Sequence, residues 1–209
     1  MKTRDRTPQT VGALRAAFGP EDSAADAALL ARLAARADRA GLVDVAWRRC
    51  ESPVGPLLLA ASPRGLLRVA FAREGHADVL ARLAAEVSPR ILPAPRRLDA
   101  AARQLDEYFA GRRRRFELPL DLRLAHGFRR RVLAQLRRIA YGATASYAEI
   151  ARAAGNPAAV RAVGSACARN PLPLVVPCHR VVRSDGEIGG YRGGSEAKRA
   201  LLALEAAQA

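Results

Sequence analysis

The residues best suited to covalent chemistry lie in the tetrapeptide Pro177-Cys178-His179-Arg180. An apolar run, Pro171 to Val176, leads into it, and a glycine-rich stretch from Gly186 to Gly194 follows. The thiolate is the nucleophilic form of cysteine, and a free thiol has a pKa of about 8.5, so a nearby base must activate it. Cys178 is therefore a candidate reactive thiol, and a buried, inert cysteine is the alternative.

His179 is the candidate base, although adjacent side chains in a chain do not have to point the same way. A water molecule between the two groups would bridge that gap. Glu205 lies on a helix predicted over about residues 195–206, and it can orient His179 if that helix folds back. For Cys50 and Cys167 we expect the inert role.

Composition limits the classes to which the protein can belong. Its 209 residues suit one large domain or two small ones, and a hydrophobic content of 50% permits a sizeable core. The net charge of +15 favours a polyanionic partner, nucleic acid above all. Three cysteines fit neither a disulfide framework nor a zinc motif, which indicates a reducing compartment. Because neither a signal core nor an apolar run of about 18 residues is found, we expect a cytoplasmic protein with no membrane partner.

Hydrophobic periodicity predicts a helix and then an α/β region in the first part of the chain. The helix covers 21–40, with Asp22 or Ser23 as N-cap and Gly41 at its end. Three strands of an antiparallel meander follow, at Leu42–Trp47, Leu57–Ala61 and Leu66–Phe71. Two further helices are predicted at His76–Val87 and Arg96–Ala110.

From Phe128 onward the sequence predicts helices almost throughout. Ser146 caps one of them, and the next runs from about Pro157 to Arg169, so the pair fits a helix-turn-helix. The second helix carries very small side chains and one arginine, Arg161. Such a helix can approach DNA closely but reads little base sequence, which suits shallow docking in the minor groove. The alternative is a small-residue helix packed inside the protein.

The ordered motifs of the second half resemble the O6-alkylguanine-DNA alkyltransferases, also called methylated-DNA–protein-cysteine methyltransferases. The motifs are Asn170-Pro171, Pro177 to Val182, Gly189-Gly190-Tyr191-Arg192-Gly193-Gly194, Lys198, Leu201-Leu202 and Glu205. The resemblance is strong from about Phe128 to Glu205, looser from about Leu42 to Leu120, and does not extend to residues 1–41.

The resemblance implies an α/β fold class with two domains. A small ribonuclease-H-like α/β domain would cover 42–121. A mostly helical domain of winged-helix or helix-turn-helix type, which binds DNA and accepts the alkyl group, would cover 122–209. Residues 1–41 would form an N-terminal extension, which we predict to be helical. Because the extension contains no cysteine, we do not expect the cysteine-rich sensor domain that some relatives carry.

The resemblance also implies a reaction. Cys178 would accept the alkyl group of O6-alkylguanine from double-stranded DNA, irreversibly and once per molecule, after the base is flipped out of the duplex. O4-alkylthymine is a second candidate substrate. We expect a monomer that needs no cofactor. We also expect no structural metal, because Cys50 and His76 are the only candidate ligands in the N-terminal half and cannot form a tetrahedral site.

Roles follow residue by residue from the resemblance. His179 would act as the base through water, with Glu205 orienting it. Asn170 would hydrogen-bond within the turn that presents the cysteine. Tyr147 would contact the flipped base near N3, and Arg161 would fill the gap that the base leaves in the stack.

The remaining site residues belong to the base pocket or the DNA surface. Backbone carbonyls of Cys178 and Val181 would accept the guanine amino group, and the Arg192 amide would face O6. Arg192 stands where some family members have a small residue, which bears on tolerance for bulky alkyl groups. The other residues expected at the base or the DNA are Ser146, Ala159, Gly164, Tyr191 and Lys198.

Two other functions remain as alternatives. A non-catalytic, alkyltransferase-like binder of alkylated DNA would lack the cysteine of this motif, so Cys178 argues against it. A helix-turn-helix transcription factor is disfavoured because the small side chains of 157–169 offer little means to read bases.

Overall fold

The structure, a computed structural model, describes residues 24–208. It begins with helix α1 (Ala24–Arg39), and Gly41 follows with a φ of +68°, as the predicted end of the helix requires. The N-cap candidates Asp22 and Ser23 lie outside the described residues. No helix among residues 24–208 is both long and apolar enough to cross a membrane.

A four-stranded sheet follows in the spatial order β3-β2-β1-β4. Strands β1 (Val45–Cys50), β2 (Leu57–Ser62) and β3 (Gly65–Phe71) form the predicted antiparallel meander. Strand β4 (Ile91–Pro93) pairs in parallel with β1, and it was not predicted because three residues give no periodic signal.

The predicted position of β1, Leu42–Trp47, was wrong by three residues. Arg48 and Arg49 extend the strand because they pair with Leu59 and Leu58 of β2, although the alternating pattern of the sequence ends at Trp47. Strand pairing here outweighs the local preference of the sequence.

Strand β2 is buried on both faces, as its unbroken apolar run suggests. On one face Leu58 belongs to a cluster with Val79 and Leu83 of helix α2 (His76–Glu86). On the other face Leu57 and Leu59 belong to a larger cluster that also holds residues of helix α3 (Asp99–Phe109) and of the C-terminal helices. The predicted helix 96–110 starts with a 3-10 turn at Pro95–Leu98. One continuous apolar core therefore joins the sheet to the C-terminal half.

The C-terminal half contains four helices, α4 (Gly127–Leu136), α5 (Tyr147–Ala153), α6 (Val160–Ala168) and α7 (Ser195–Ala206). The predicted start of α6 near Pro157 was wrong, because Pro157 lies in a turn and the helix begins at Val160. The prediction of helices almost throughout missed one strand pair. Strands β5 (Ala145–Ser146) and β6 (Val181–Val182) pair in parallel and bring the start of α5 beside the cysteine motif.

Candidate active site

Cys178 begins a 3-10 turn, Cys178–Arg180, and its side chain is buried. The Asn170 amide holds the preceding loop, since Nδ2 donates to the Val176 carbonyl at 2.8 Å and to Cys178 Sγ at 3.1 Å. Asn170 Oδ1 accepts from the Leu172 N–H at 3.0 Å. Within this loop Leu174 has a φ of +73°, a costly conformation for a residue other than glycine. The Asn170 hydrogen bonds therefore fix an unusual loop and the sulfur at its end.

The Cys178 thiol is neutral at pH 7. Burial raises its pKa to about 11, against the opposing effects of the Asn170 hydrogen bond and the Lys198 charge. A thiol of this kind becomes nucleophilic only when a base takes its proton.

His179, the residue after Cys178, forms a buried pair with Glu205 of helix α7. Nε2 of His179 lies 2.8 Å from Oε1 of Glu205, and neither side chain is more than 1% exposed. Burial lowers the pKa of His179, so the ring is neutral. Burial alone would raise the pKa of Glu205, but hydrogen bonds from His179 and Arg180 outweigh it and lower that pKa to about 2.

These charge states decide which ring nitrogen of His179 can act as a base. Glu205 is a carboxylate, so Nε2–H of the neutral ring donates to it and Nδ1 carries the free lone pair. Nδ1 is buried and meets no hydrogen-bonding partner within residues 24–208. It is therefore available to accept a proton.

Two residues that support Glu205 were missed in the sequence. Arg180 donates to Glu205 twice, from Nε to Oε2 at 2.8 Å and from Nη2 to Oε1 at 2.9 Å. Its Nη1 donates to the Ile139 carbonyl at 2.7 Å. Tyr108, on α3, donates its hydroxyl to Oε1 at 2.6 Å. The position of Arg180 beside His179 was the only signal for its role. Tyr108 lies 97 residues from Glu205 and gave no signal.

Tyr147 and Lys198 approach the cysteine from two helices. Tyr147 opens α5, and its hydroxyl comes so near Gly189 that a Cβ there would lie 2.5 Å from it. Lys198, on α7, donates from Nζ to the Val181 carbonyl at 2.6 Å. The Val181 carbonyl is one of the two carbonyls predicted to accept the guanine amino group, and it keeps one lone pair for that hydrogen bond.

The predicted binding loop lies against the same centre. The Tyr191 ring packs edge-to-face on Phe71 at 5.4 Å and near His179 at 6.3 Å between centroids. Within the described part of the chain its hydroxyl has no hydrogen-bonding partner. The Arg192 side chain turns to the N-terminal half, where Nε lies 2.8 Å from Glu74.

The residues predicted to face DNA lie on and before α6. Val163, Ala166 and Cys167 bury one side of the helix, while Arg161 is exposed and makes no ion pair with a described residue. One face of α6 is therefore packed inside the protein, as the alternative interpretation expected, and docking of the exposed face on DNA stays a prediction. Gly164 packs beside Tyr147, since a Cβ there would lie 3.9 Å from the ring. Ala159 is the N-cap of the helix.

Ser146 forms a capping box at the start of α5. Its hydroxyl accepts from the Glu149 N–H at 3.2 Å, and the Glu149 carboxylate accepts from the Ser146 N–H at 2.6 Å.

The structure brings Cys178 together with the other predicted catalytic and pocket residues, which are Tyr147, Asn170, His179, Val181, Tyr191, Lys198 and Glu205. Arg161 stays on the open surface.

Two protein-family models match the chain. One is described as "6-O-methylguanine DNA methyltransferase, ribonuclease-like domain" and matches residues 45–122. The other is described as "6-O-methylguanine DNA methyltransferase, DNA binding domain" and matches residues 127–207. The sheet lies within the first match and the cysteine motif within the second. The predicted fold class, a ribonuclease-like α/β part followed by a mostly helical part, is confirmed.

Individual relatives agree with the family models. A methylated-DNA--protein-cysteine methyltransferase of Mycobacterium tuberculosis is 42% identical over 175 residues, which is 78% of this chain and 93% of the relative. The crystal structure of Mycobacterium tuberculosis O6-methylguanine methyltransferase matches with a TM-score of 0.70 at 40% identity, covering 79% of this chain and 94% of that one. Mycobacterium tuberculosis OGT in complex with DNA matches with a TM-score of 0.68 at 40% identity, covering 78% and 94%. The chain belongs to the O6-methylguanine DNA methyltransferase family.

Proposed function

We propose that the protein repairs DNA by moving the alkyl group of O6-alkylguanine onto the sulfur of Cys178. Each molecule would do this once, because the thioether product leaves no thiol for a second transfer. The observation that carries the proposal is a sulfur held by Asn170 next to His179, whose Nε2 binds Glu205 and whose Nδ1 has no hydrogen-bonding partner in the described part of the chain. The relatives named above are methyltransferases that act on the same kind of DNA lesion.

The first step is removal of the thiol proton. The proton passes from Sγ of Cys178 through a bridging water to Nδ1 of His179. The imidazolium that forms lies against the Glu205 carboxylate, which offsets its charge, and Arg180 and Tyr108 keep that carboxylate in place. General-base catalysis of this kind contributes roughly 10²- to 10⁴-fold in rate.

The second step is displacement at the alkyl carbon. A bond forms between Sγ of Cys178 and that carbon, the bond from the carbon to O6 breaks, and its electron pair goes to the guanine. The guanine leaves as an anion and then takes up a proton from solvent. Burial raises the pKa of Tyr147, so its hydroxyl stays protonated and donates a hydrogen bond to N3 as the charge develops. The Arg192 amide would face O6.

DNA is the proposed partner, and base flipping is the proposed way to reach the sulfur. Cys178 is only 3% exposed, so O6 of a stacked guanine cannot reach it. Flipping costs a few kcal/mol, least for a weakly paired, damaged base. Arg161 would enter the stack and offset part of this cost, and the small side chains of Ala159 and Gly164 would let the helix approach closely.

Several finer statements are part of the same proposal. Residues 42–121 and 122–209 would act as the two domains, with 1–41 as an extension. The protein would work as a monomer in the cytoplasm and would accept O4-alkylthymine as a second substrate. The surface residues Ser146 and Arg161 would contact the DNA, while Val181, Tyr191 and Lys198 would line the base pocket.

The test uses a duplex in which the methyl group of one O6-methylguanine is isotopically labelled. We expect label on the protein up to about one equivalent, with none on Cys178→Ala. Affinity of that variant for the damaged duplex should equal that of the wild type, because binding does not depend on the transfer step. Transfer of many equivalents, or transfer by Cys178→Ala, would contradict the proposal.

A further inference from the structure

A buried carboxylate of the N-terminal half contacts the loop beside the cysteine. Glu74 ends the 3-10 turn Ala72–Glu74 that follows β3, and its side chain is 6% exposed. Its Oε1 accepts from the Phe71 N–H at 3.0 Å. Its Oε2 pairs with Arg68 and also with Nε of Arg192 at 2.8 Å. The Glu74 carboxylate thus forms ion pairs with Arg68 of the sheet and with Arg192 of the loop.

Arg68 carries the connection to the turn that holds the sulfur. Its Nη1 donates to the carbonyls of Asn170 at 3.3 Å and Pro171 at 3.2 Å, and the Val69 N–H donates to Pro171 at 2.9 Å. Burial lowers the pKa of Arg68 to about 10, which leaves it charged at neutral pH. Because Arg68 is buried, its charge needs the Glu74 carboxylate as a partner.

The loop itself lies directly on the end of β3. Tyr191 packs edge-to-face on Phe71, and a Cβ at Gly193 would meet the same ring at 2.8 Å. Arg192, which pairs with Glu74, lies in the sequence between Tyr191 and Gly193, the two positions that contact Phe71. Glu74 is therefore placed to hold the residue between them.

We propose that Glu74 is a positioning residue for alkyl transfer, acting through its ion pair with Arg192. The pair holds the loop 189–194 against Phe71 and fixes Tyr191 and the Arg192 amide relative to Cys178. This inference rests on the proposed function and extends it, because it gives the N-terminal sheet a part in the reaction.

The pair also sets the preference for alkyl size. A methyl group offers little surface to the loop, so its transfer depends on the loop being held in advance. A benzyl group can pack on the Tyr191 ring and order the loop itself. Loss of the pair should therefore slow transfer of a methyl group more than transfer of a benzyl group.

The test compares Glu74→Gln, Arg192→Gln and the double variant on one duplex that carries O6-methylguanine or O6-benzylguanine. Each single variant should slow methyl transfer about tenfold, as small misplacements at an active site do, and should raise the benzyl-to-methyl rate ratio. The double variant should be no slower than the slower single one, because the two residues act as a pair. Asp44→Asn is the matched control, since it breaks the 2.6 Å pair with Arg90 elsewhere in the N-terminal half and should react like the wild type.

Free O6-benzylguanine, which has no phosphates, separates positioning from DNA contact. Both single variants should also react more slowly with this free base. Wild-type rates and ratios in both variants would overturn the inference, as would an Arg192→Gln defect confined to DNA with Glu74→Gln unaffected. If Glu74→Gln fails to fold because Arg68 loses its partner, Arg192→Gln decides alone, since it keeps the Arg68–Glu74 pair. A wild type that accepts no alkyl group would instead refute the proposed function.

Discussion

The proposed acceptor site around Cys178 and helix α6, which we propose faces DNA, are built in opposite ways. Around Cys178, the side chains of His179 and Glu205 are no more than 1% exposed, and Glu205 has a partner on each oxygen. On α6, Arg161 and Ala162 are exposed and Gly164 is half-buried, and Arg161 has no carboxylate partner among the described residues. Proton transfer needs fixed geometry in a low dielectric, whereas binding to any DNA sequence needs a close, uncommitted surface. Variants around Cys178 should therefore slow the transfer step without changing DNA affinity, whereas variants on α6 should weaken DNA binding without changing the chemistry.

His179→Ala should give the largest effect and should leave DNA affinity unchanged. Transfer should slow by roughly 10²- to 10⁴-fold because the thiol loses its base. The pH profile should also change. In the wild type the rate should be flat from about pH 7 to pH 9, since His179 has a lowered pKa and is already neutral there.

The variant should instead gain about tenfold in rate per pH unit over that range, because only the thiolate fraction of Cys178 then limits it. With a pKa of about 11, that fraction keeps rising throughout the range. Rates measured at each pH under single-turnover conditions check this. A flat profile in His179→Ala would show that His179 is not the base.

Glu205→Gln should damage chemistry and stability together. It leaves the buried Arg180 without a full charge partner and should cost about 3–5 kcal/mol in the free energy of unfolding. Transfer should slow by about 100-fold as His179 loses its orienting group. Glu196→Gln is the control on the same helix, because Glu196 is exposed, and it should change neither quantity.

The stability difference between the wild type and Glu205→Gln should depend on pH. The folded-state pKa of Glu205 is lowered from 4.5 to about 2, so its stabilising contribution is present above pH 4.5 and is lost as the pH falls towards 2. The linkage amounts to about 3 kcal/mol. Denaturant unfolding at pH 6 and pH 2.5 checks this, and a difference that does not shrink in acid would contradict the carboxylate's role.

Arg161→Ala should affect binding alone, with a smaller effect. Transfer from duplex DNA should slow about tenfold, in line with loss of one inserted side chain. The free energy of unfolding should change by less than about 0.5 kcal/mol, because Arg161 is exposed. Reaction with free O6-benzylguanine should persist at the wild-type rate. Equal losses on DNA and on the free base would place Arg161 in the chemistry instead.

Ser146→Ala should give the smallest effect. Loss of the capping box at α5 should cost about 1 kcal/mol in the free energy of unfolding, which a shift in Tm would report. Transfer from duplex DNA should slow only by the loss of one polar DNA contact, and reaction with free O6-benzylguanine should keep the wild-type rate, because the cap is not part of the buried network. Ser146→Thr, which keeps the hydroxyl, should keep most of the wild-type stability.

The sequence predicted the acceptor site better than its supports. Cys178, His179 and Asn170 lie within one short motif, and Glu205 follows on a helix whose bounds, Ser195–Ala206, were predicted correctly. Tyr108, Arg68 and Glu74 were missed because they reach the site through tertiary contacts across 97 to 118 residues. No local pattern encodes such contacts.

Secondary structure shows the same division. The helices and the meander follow from hydrophobic periodicity and from caps such as Ser146. The short strands β4, β5 and β6 depend on pairing with distant partners, so their two or three residues carry no signal of their own. The late start of α6 has a local cause, because Pro157 also suits the turn that it occupies.

The most direct test of the central claim is the intact mass of the protein after incubation with excess O6-methylguanine duplex. The account predicts a gain of one methyl group per molecule, mapped by peptide analysis to Cys178, with no further gain on longer incubation. An unchanged mass with demethylated DNA, or a methyl group on Cys50 or Cys167, would contradict it.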